Sequence, residues 1–235
     1  MSNAMTDHAD NIGGASKRTY GSVCAILLAA GSSTRMGRNK MLMRLCGRTP
    51  IEWCIEAFAG IASEAVIAVS DETEKDARAA AKKAPFPVKI VRGGSRRQDS
   101  VYNAVAAASA DIVSIHDCAR CLVDKDTIAR SILSAMEFGC GIASIPVIDT
   151  IRNAKSGEVV DRSTLLAAQT PQSFRRMEIL AAYESAKGEY TDDAALFQAA
   201  GNRLFYSEGS LSNSKLTTPE DIPYFEFLLK RRSGK

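Results

Sequence analysis

The chain has 235 residues, with 30 Lys and Arg against 27 Asp and Glu, for a formal net charge of +3. At 46% hydrophobic and 24% charged, it has the composition of an ordinary soluble globular protein, long enough to bury roughly 70% of the surface its unfolded chain exposes. The same figures argue against disordered, collagen-like and membrane-spanning classes, since no apolar run approaches the ~20 residues needed to cross a bilayer, and against a general nucleic-acid binder, since the charge is mild and dispersed.

Met1-Ser2-Asn3-Ala4 ahead of Met5 reads as a cloning remnant, and the polar stretch to Gly21 as a disordered tail without the apolar centre of a secretion signal. The expected organisation is therefore a tail over 1–21 and a single domain over 22–235. Without a signal, the six cysteines are expected to stay reduced in a cytoplasm.

Beyond the tail, short β-rich runs alternate with longer helical patterns. Residues 23–28, 65–69, 88–91, 112–115 and 141–145 read as buried strands, and residues 50–59, 72–83, 96–107 and 125–138 as helices. Ser95-Arg96-Arg97-Gln98 has the form of a capping box opening the third helix. This alternation predicts an α/β fold with right-handed crossovers, a Rossmann-like, mainly parallel sheet flanked by helices. Ligands in such sheets bind beyond the carboxyl ends of the strands, which points to the segments just after Leu28, Val91, Ile115 and Ile145.

The rhythm breaks after Pro146. Two strand-like runs, 147–152 and 158–162, flank the polar turn Asn153-Ala154-Lys155-Ser156-Gly157 and predict a projecting β-hairpin arm at about 147–169, an element that suits either a partner chain or a surface excursion. Helical patterns resume over 175–187 and 192–200, and a last helix opens at Thr218-Pro219 with Thr as N-cap and Pro in the first turn.

The most informative segment runs Leu28-Ala29-Ala30-Gly31-Ser32-Ser33-Thr34-Arg35-Met36-Gly37-Arg38-Asn39-Lys40. A strand opens here into a loop with two glycines, three hydroxyl residues and three cations. Small residues let backbone N–H groups approach phosphate oxygens while Arg and Lys neutralise their charge. The loop is neither a Walker A loop nor a G-x-G-x-x-G dinucleotide loop. Asp117, after the fourth strand, can help hold a divalent cation or cap the next turn. His116 reads as a packed, hydrogen-bonded residue. Cys118-Ala119-Arg120-Cys121 is a C-x-x-C, but it lacks a second ligand pair at zinc spacing and falls after the fourth strand, where a thioredoxin-like site would not.

A-A-G-x-x-x-R-M-G-x-x-K resembles the signature of nucleotidyltransferases that bind a nucleoside triphosphate. Gly93-Gly94-Ser95-Arg96-Arg97-Gln98-Asp99-Ser100-Val101, His116-Asp117-Cys118-Ala119-Arg120, Val160-Asp161-Arg162, Gln169-Thr170-Pro171-Gln172, Tyr190-Thr191-Asp192-Asp193-Ala194 and Asn213-Ser214-Lys215 through Pro219-Glu220-Asp221 then resemble, in order, the motifs of the 2-C-methyl-D-erythritol 4-phosphate cytidylyltransferase family. The resemblance runs from about Val23 to the C-terminus.

It implies transfer of a cytidylyl group from CTP to a sugar-alcohol phosphate with release of pyrophosphate, in the non-mevalonate route to isoprenoid precursors. Arg35, Lys40 and Lys215 match catalytic cations. CTP contacts are implied for Ala29, Ala30, Gly31, Gly94, Ser95, Ser100, Asp117 and Cys118, with Mg²⁺ as cofactor at Asp117. Acceptor contacts are implied for Thr150, Arg162, Thr170, Thr191 and Arg120. A homodimer through the arm would bring Thr150 and Arg162 to the neighbour's site; neither nucleic acid nor membrane is implied as a partner. Three departures bear on the acceptor. Asn39 stands where the family has proline, cysteines occupy 118 and 121, and Ser212 sits where an acidic residue is usual. A ribitol-5-phosphate cytidylyltransferase shares nearly every motif, and a molybdenum-cofactor nucleotidyltransferase shares the first loop. A non-catalytic nucleotide-binding module would be expected to lose one of the three cations.

Overall fold

The computed structural model describes residues 21–31, 36–37 and 39–232. The expected tail, apart from Gly21, lies outside the described residues. So does Arg35.

The first strand, β1 (Val23–Ala29), is an unbroken apolar run buried on both faces, the pattern of a central strand in a sheet covered by helices. It pairs in parallel with β2 (Glu64–Val69) on one side and β4 (Ile112–Asp117) on the other; β2 in turn pairs in parallel with β3 (Val88–Arg92). Between them run α1 (Pro50–Phe58), α2 (Asp71–Ala81) and α3 (Arg97–Ala107). The chain continues through α4 (Lys125–Phe138), β5 (Cys140–Pro146), the short strands β6 (Ile151–Arg152) and β7 (Val159–Val160), β8 (Leu166–Arg175), α5 (Arg176–Ser185), α6 (Asp193–Ala199), β9 (Tyr206–Glu208) and α7 (Ile222–Arg232). The seven-stranded sheet has the order β3-β2-β1-β4-β8-β5-β9.

Alternate residues of β1 face two cores. Val23, Ala25 and Leu27 of β1 pack with Ile51, Phe58, Ile128 and Phe225 from α1, α4 and α7. Cys24 and Ile26 pack with Val101, Val105, Ile179 and Phe197 from α3, α5 and α6. The helix ends are chemically marked: Thr49 and Glu52 form a reciprocal box at the start of α1, and Asp124 accepts from the Thr127 N–H at 2.7 Å to open α4.

Two details need correcting, although the sheet is mainly parallel as expected, with β8 alone lying antiparallel between β4 and β5. Its sequence is polar and carries Pro171, without the alternation that marks a strand, yet Gln169 through Phe174 are buried. Hydroxyl and amide partners make that burial tolerable: Ser173 bonds Ser114 at 2.9 Å, and Gln172 bonds Asp192 at 2.8 Å. The cap of α3 is also shifted by one residue. Asp99, not Gln98, accepts from the Arg96 N–H and the Ser95 hydroxyl, while the Gln98 amide donates to the Gly188 carbonyl. A carboxylate is the stronger acceptor at the positive end of a helix. Finally, Thr218-Pro219 opens a three-residue 3₁₀ turn (Pro219–Asp221) that leads into α7.

In the segment expected as an arm, β6 and β7 form an antiparallel ladder of two residue pairs. Most of residues 147–164 are exposed, Ile148 and Val159 by 63% and 58%.

Candidate active site

Strand order reverses where β1 meets β4, with β2 and β3 on one side and β8 on the other. That reversal opens a crevice beyond the strand ends, and the register sets Leu28 beside Asp117 at its floor. A cavity of about 350 Å³ lies there. Of the residues singled out from sequence, Ala30, Gly31, Lys40, Gly94, Ser95, Ser100, Asp117 and Lys215 line it. Strand ends at β1, β3 and β4 thus supply the cavity, whereas the end of β5 does not.

The two glycines after β3 are there for close approach. A Cβ on Gly93 would fall 2.5 Å from the Ala30 Cβ, and one on Gly94 would fall 2.2 Å from the Asp99 Cβ. The first loop and the 93–96 turn therefore meet at a separation only glycine allows. Ser100 secures the turn, accepting from the Gly94 N–H at 3.0 Å and donating to the Arg96 carbonyl at 3.1 Å.

Lys40 sits in a 3₁₀ turn (Lys40–Leu42) capped by Asn39, whose side chain accepts from the Met41 N–H and donates to Glu72 at 2.8 Å. This asparagine, in the place of the family's proline, supplies a cap where proline would supply only a fixed φ. The Lys40 ammonium donates to the Leu216 carbonyl at 2.8 Å, and the Leu216 N–H donates to the Ala119 carbonyl at 2.8 Å. The first loop, the turn after β4 and the Lys215 segment are thereby stitched together.

Asp117 is the electrostatic centre. Its Oδ2 accepts from the Lys215 ammonium at 2.6 Å and its Oδ1 from the Arg97 guanidinium at 3.2 Å. Burial alone would raise this carboxyl, but Arg97 and Lys215 hold it well below the usual carboxylate range. Arg97 in turn grips the buried Asp193 through two parallel bonds of 3.0 and 2.9 Å, and Asp193 also accepts from the Tyr183 hydroxyl. Burial opposes the charge on Arg97, yet Asp193 and Asp117 leave its pKa above the ordinary arginine value.

Thr170, read as an acceptor contact, is 5% exposed, and its hydroxyl serves the fold. The Arg120 carbonyl lies 3.2 Å from His116 Nε2 and can only accept, so that nitrogen carries the proton. His116 Nδ1 then accepts from the Thr170 hydroxyl at 3.1 Å, and Thr170 accepts from the Asp117 N–H at 3.1 Å. Thr170 and His116 thus hold the strand end that presents Asp117. Burial lowers the His116 pKa to about 4, so the ring is neutral, as its packed role predicts.

Ala29 and Cys118 are buried in the core and do not line the cavity. Nor does Arg120, which donates to the Asn213 carbonyl at 2.8 Å. Thr150, Arg162 and Thr191 are exposed away from the cavity lining. Burial pushes the Cys121 thiol up to about 12, and a hydrogen bond with Cys118, together with burial, raises Cys54, so these two cysteines lack the thiolate character that redox chemistry needs. Arg97 and Asp193 were missed as site residues. The signal was present, since both fall inside the quoted motifs, but nothing local says that they pair.

A family model described as 2-C-methyl-D-erythritol 4-phosphate cytidylyltransferase matches residues 23–231. A protein of that name from Caldanaerobacter subterraneus subsp. tengcongensis is 37% identical over 225 residues, covering 89% of this chain and 99% of its own. Another, from Shouchella clausii, is 39% identical over 224 residues, covering 90% and 98%. The crystal structure of the Thermus thermophilus protein of the same name superposes with a TM-score of 0.76 at 31% identity, over 90% of this chain and 100% of that one. A chain that matches the family from its first strand to its last helix, and folds as its members fold, belongs to the 2-C-methyl-D-erythritol 4-phosphate cytidylyltransferase family.

Proposed function

We propose that this protein transfers a cytidylyl group from CTP to 2-C-methyl-D-erythritol 4-phosphate, releasing pyrophosphate, as a step in isoprenoid precursor synthesis. The observation that carries the reading is the convergence of Lys40 and Lys215, from opposite ends of the chain, with Asp117 and two small-residue loops around one cavity. An acceptor phosphate oxygen attacks the α-phosphorus in line as pyrophosphate leaves. Negative charge builds on the nonbridging and leaving oxygens, so cations already fixed in place lower the barrier most. Lys40 and Lys215 act in this way, joined by Arg35 on the strength of its motif. Ala30, Gly31 and Gly94 give the nucleotide a backbone-lined seat that larger side chains would block, with Ser95 and Ser100 at its edge.

Asp117 is the one carboxylate among the described residues that line the cavity, and no cluster of three or more metal-binding side chains occurs among the described residues. A single carboxylate fits Mg²⁺ where phosphates supply most of the other oxygens, so Asp117 would hold it on the triphosphate. Bound there, the ion would neutralise charge on the β- and γ-phosphates. Thr150 and Arg162 serve the acceptor in the site of a second copy, and the protein works as a homodimer in the cytoplasm. Among the described residues, no helix is long and apolar enough to cross a membrane.

The test is pyrophosphate release from CTP with methylerythritol phosphate and ribitol 5-phosphate run in parallel. Release with the first alone is expected. Preference for the second would move the assignment to a ribitol-phosphate enzyme, and release with neither would refute it.

A further inference from the structure

We infer that Asp193, a buried residue that does not line the cavity, is a positioning residue for Lys215, acting through Arg97 and Asp117. The inference rests on the cytidylyltransferase reading above and extends it to a part of the molecule remote from the reacting groups.

Four charges of alternating sign run from α6 to the cavity: Asp193, Arg97, Asp117 and Lys215. Asp193 is 0% exposed. A buried ion pair rarely stabilises a fold more than well-packed apolar side chains would, because desolvation offsets its attraction. The donor arithmetic gives it another use. Arg97 directs its Nη1 and Nη2 to Asp193 and its Nε to Asp117. Asp193 thereby occupies the fork of the guanidinium and leaves Asp117 Oδ2 to the Lys215 ammonium. Without Asp193, the whole fork of Arg97 would turn to Asp117 and compete with Lys215 for both oxygens.

The far end of the relay is anchored. Asp193 accepts from Tyr183 of α5. The start of α6 is clamped by Gln172 of β8, which accepts from the Ala194 N–H at 2.9 Å and donates to Asp192 at 2.8 Å. A central strand and two helices thus fix the orientation of a carboxylate that, two contacts later, sets where a phosphate-facing ammonium stands.

The test is a double-mutant cycle on kcat and KM, normalised to folded protein by thermal denaturation. Asp193→Asn is expected to lower kcat about 10-fold with KM for CTP within about threefold of wild type, the signature of a contact made in the transition state. Lys215→Gln lowers kcat by ~10² or more. Because Asp193 acts through Lys215, adding Asp193→Asn to Lys215→Gln should cost no more than about twofold further. Should Asp193→Asn fail to fold, Tyr183→Phe removes one donor to Asp193 without unbalancing charge; it should lower kcat about threefold in wild type and leave Lys215→Gln unchanged. Additive losses, or variants that melt earlier but turn over normally once folded, would make Asp193 structural and overturn the inference. Wild-type protein with no turnover would overturn the functional reading as well; wild-type turnover with a normal Asp193→Asn overturns only the relay.

Discussion

The cavity and the excursion between β5 and β8 hold their cations in opposite ways. Around the cavity, three cations reach across the chain: Lys40 to the Leu216 carbonyl, Lys215 to Asp117, and Arg97 to Asp117 and Asp193. On the excursion, Arg162 bonds the Ile148 carbonyl, Asp161 accepts from Ser163, and the Asn153 side chain accepts from the Lys155 and Ser156 N–H groups. Every one of those contacts stays within the excursion. The first arrangement spends its reorganisation energy during folding, so substrate meets charges already oriented. The second leaves Ile148 and Val159 uncovered.

That contrast can be broken at several points. Lys40→Ala or Lys215→Ala should lower turnover by at least ~10²-fold with thermal unfolding little changed, measured by pyrophosphate release and a melting curve. Arg35→Ala should match them. A fully active Lys40→Ala protein would remove that residue from the mechanism.

Below the cavity, His116 makes the interior pH-sensitive in a way the excursion is not. Its pKa falls from about 6.5 in the unfolded chain to about 4 in the folded one. The unfolded state therefore binds the extra proton in between. Stability is full above pH 6.5 and is lost as pH drops toward 4, by roughly 2 kcal/mol between pH 6.5 and 5. Denaturant titrations across that range should show the slope, and His116→Gln should flatten it. An equal slope in the variant would put the sensitivity elsewhere.

On the excursion, Arg162→Ala should raise KM for the acceptor about 10-fold, the scale of one charge-assisted hydrogen bond, while KM for CTP holds. At acceptor concentrations too low for Arg162→Ala to turn over, mixing it with Lys215→Ala chains should restore roughly a quarter of wild-type activity if each hairpin serves its neighbour. No recovery would mean that the hairpin serves its own chain. The smallest effect concerns the buried thiols. Cys54, Cys118 and Cys121 should resist thiol reagents at pH 8 until the protein unfolds, with no bound zinc by elemental analysis.

Much of the fold was legible in the sequence because its signals are local. The apolar runs of β1, β2 and β4 carry their own length and propensity, and Thr49-Pro50 and Asp124 mark their helices by side-chain chemistry. The long strand β8 was not legible. A run with Gln169, Thr170, Gln172 and Ser173 around a proline looks solvated, and becomes a buried strand only because Ser114, Asp192 and Asn213 supply partners from elsewhere. The same reason explains Thr170. Its motif suggested a ligand, whereas its hydroxyl is occupied by His116 and Asp117.

The candidate site divides along the same line. The loop after β1 with Lys40 could be named from residue type and spacing, since phosphate chemistry demands small residues and cations, whereas the glycine pair and Lys215 were named through the family resemblance. That Asp117 would stand between Arg97 and Lys215, and that Arg97 would be turned by a buried Asp193, was decided only by the packed chain. An ion pair between residues 96 positions apart leaves no periodic trace, because it is formed by the meeting of two helices and a strand end and not by any local preference.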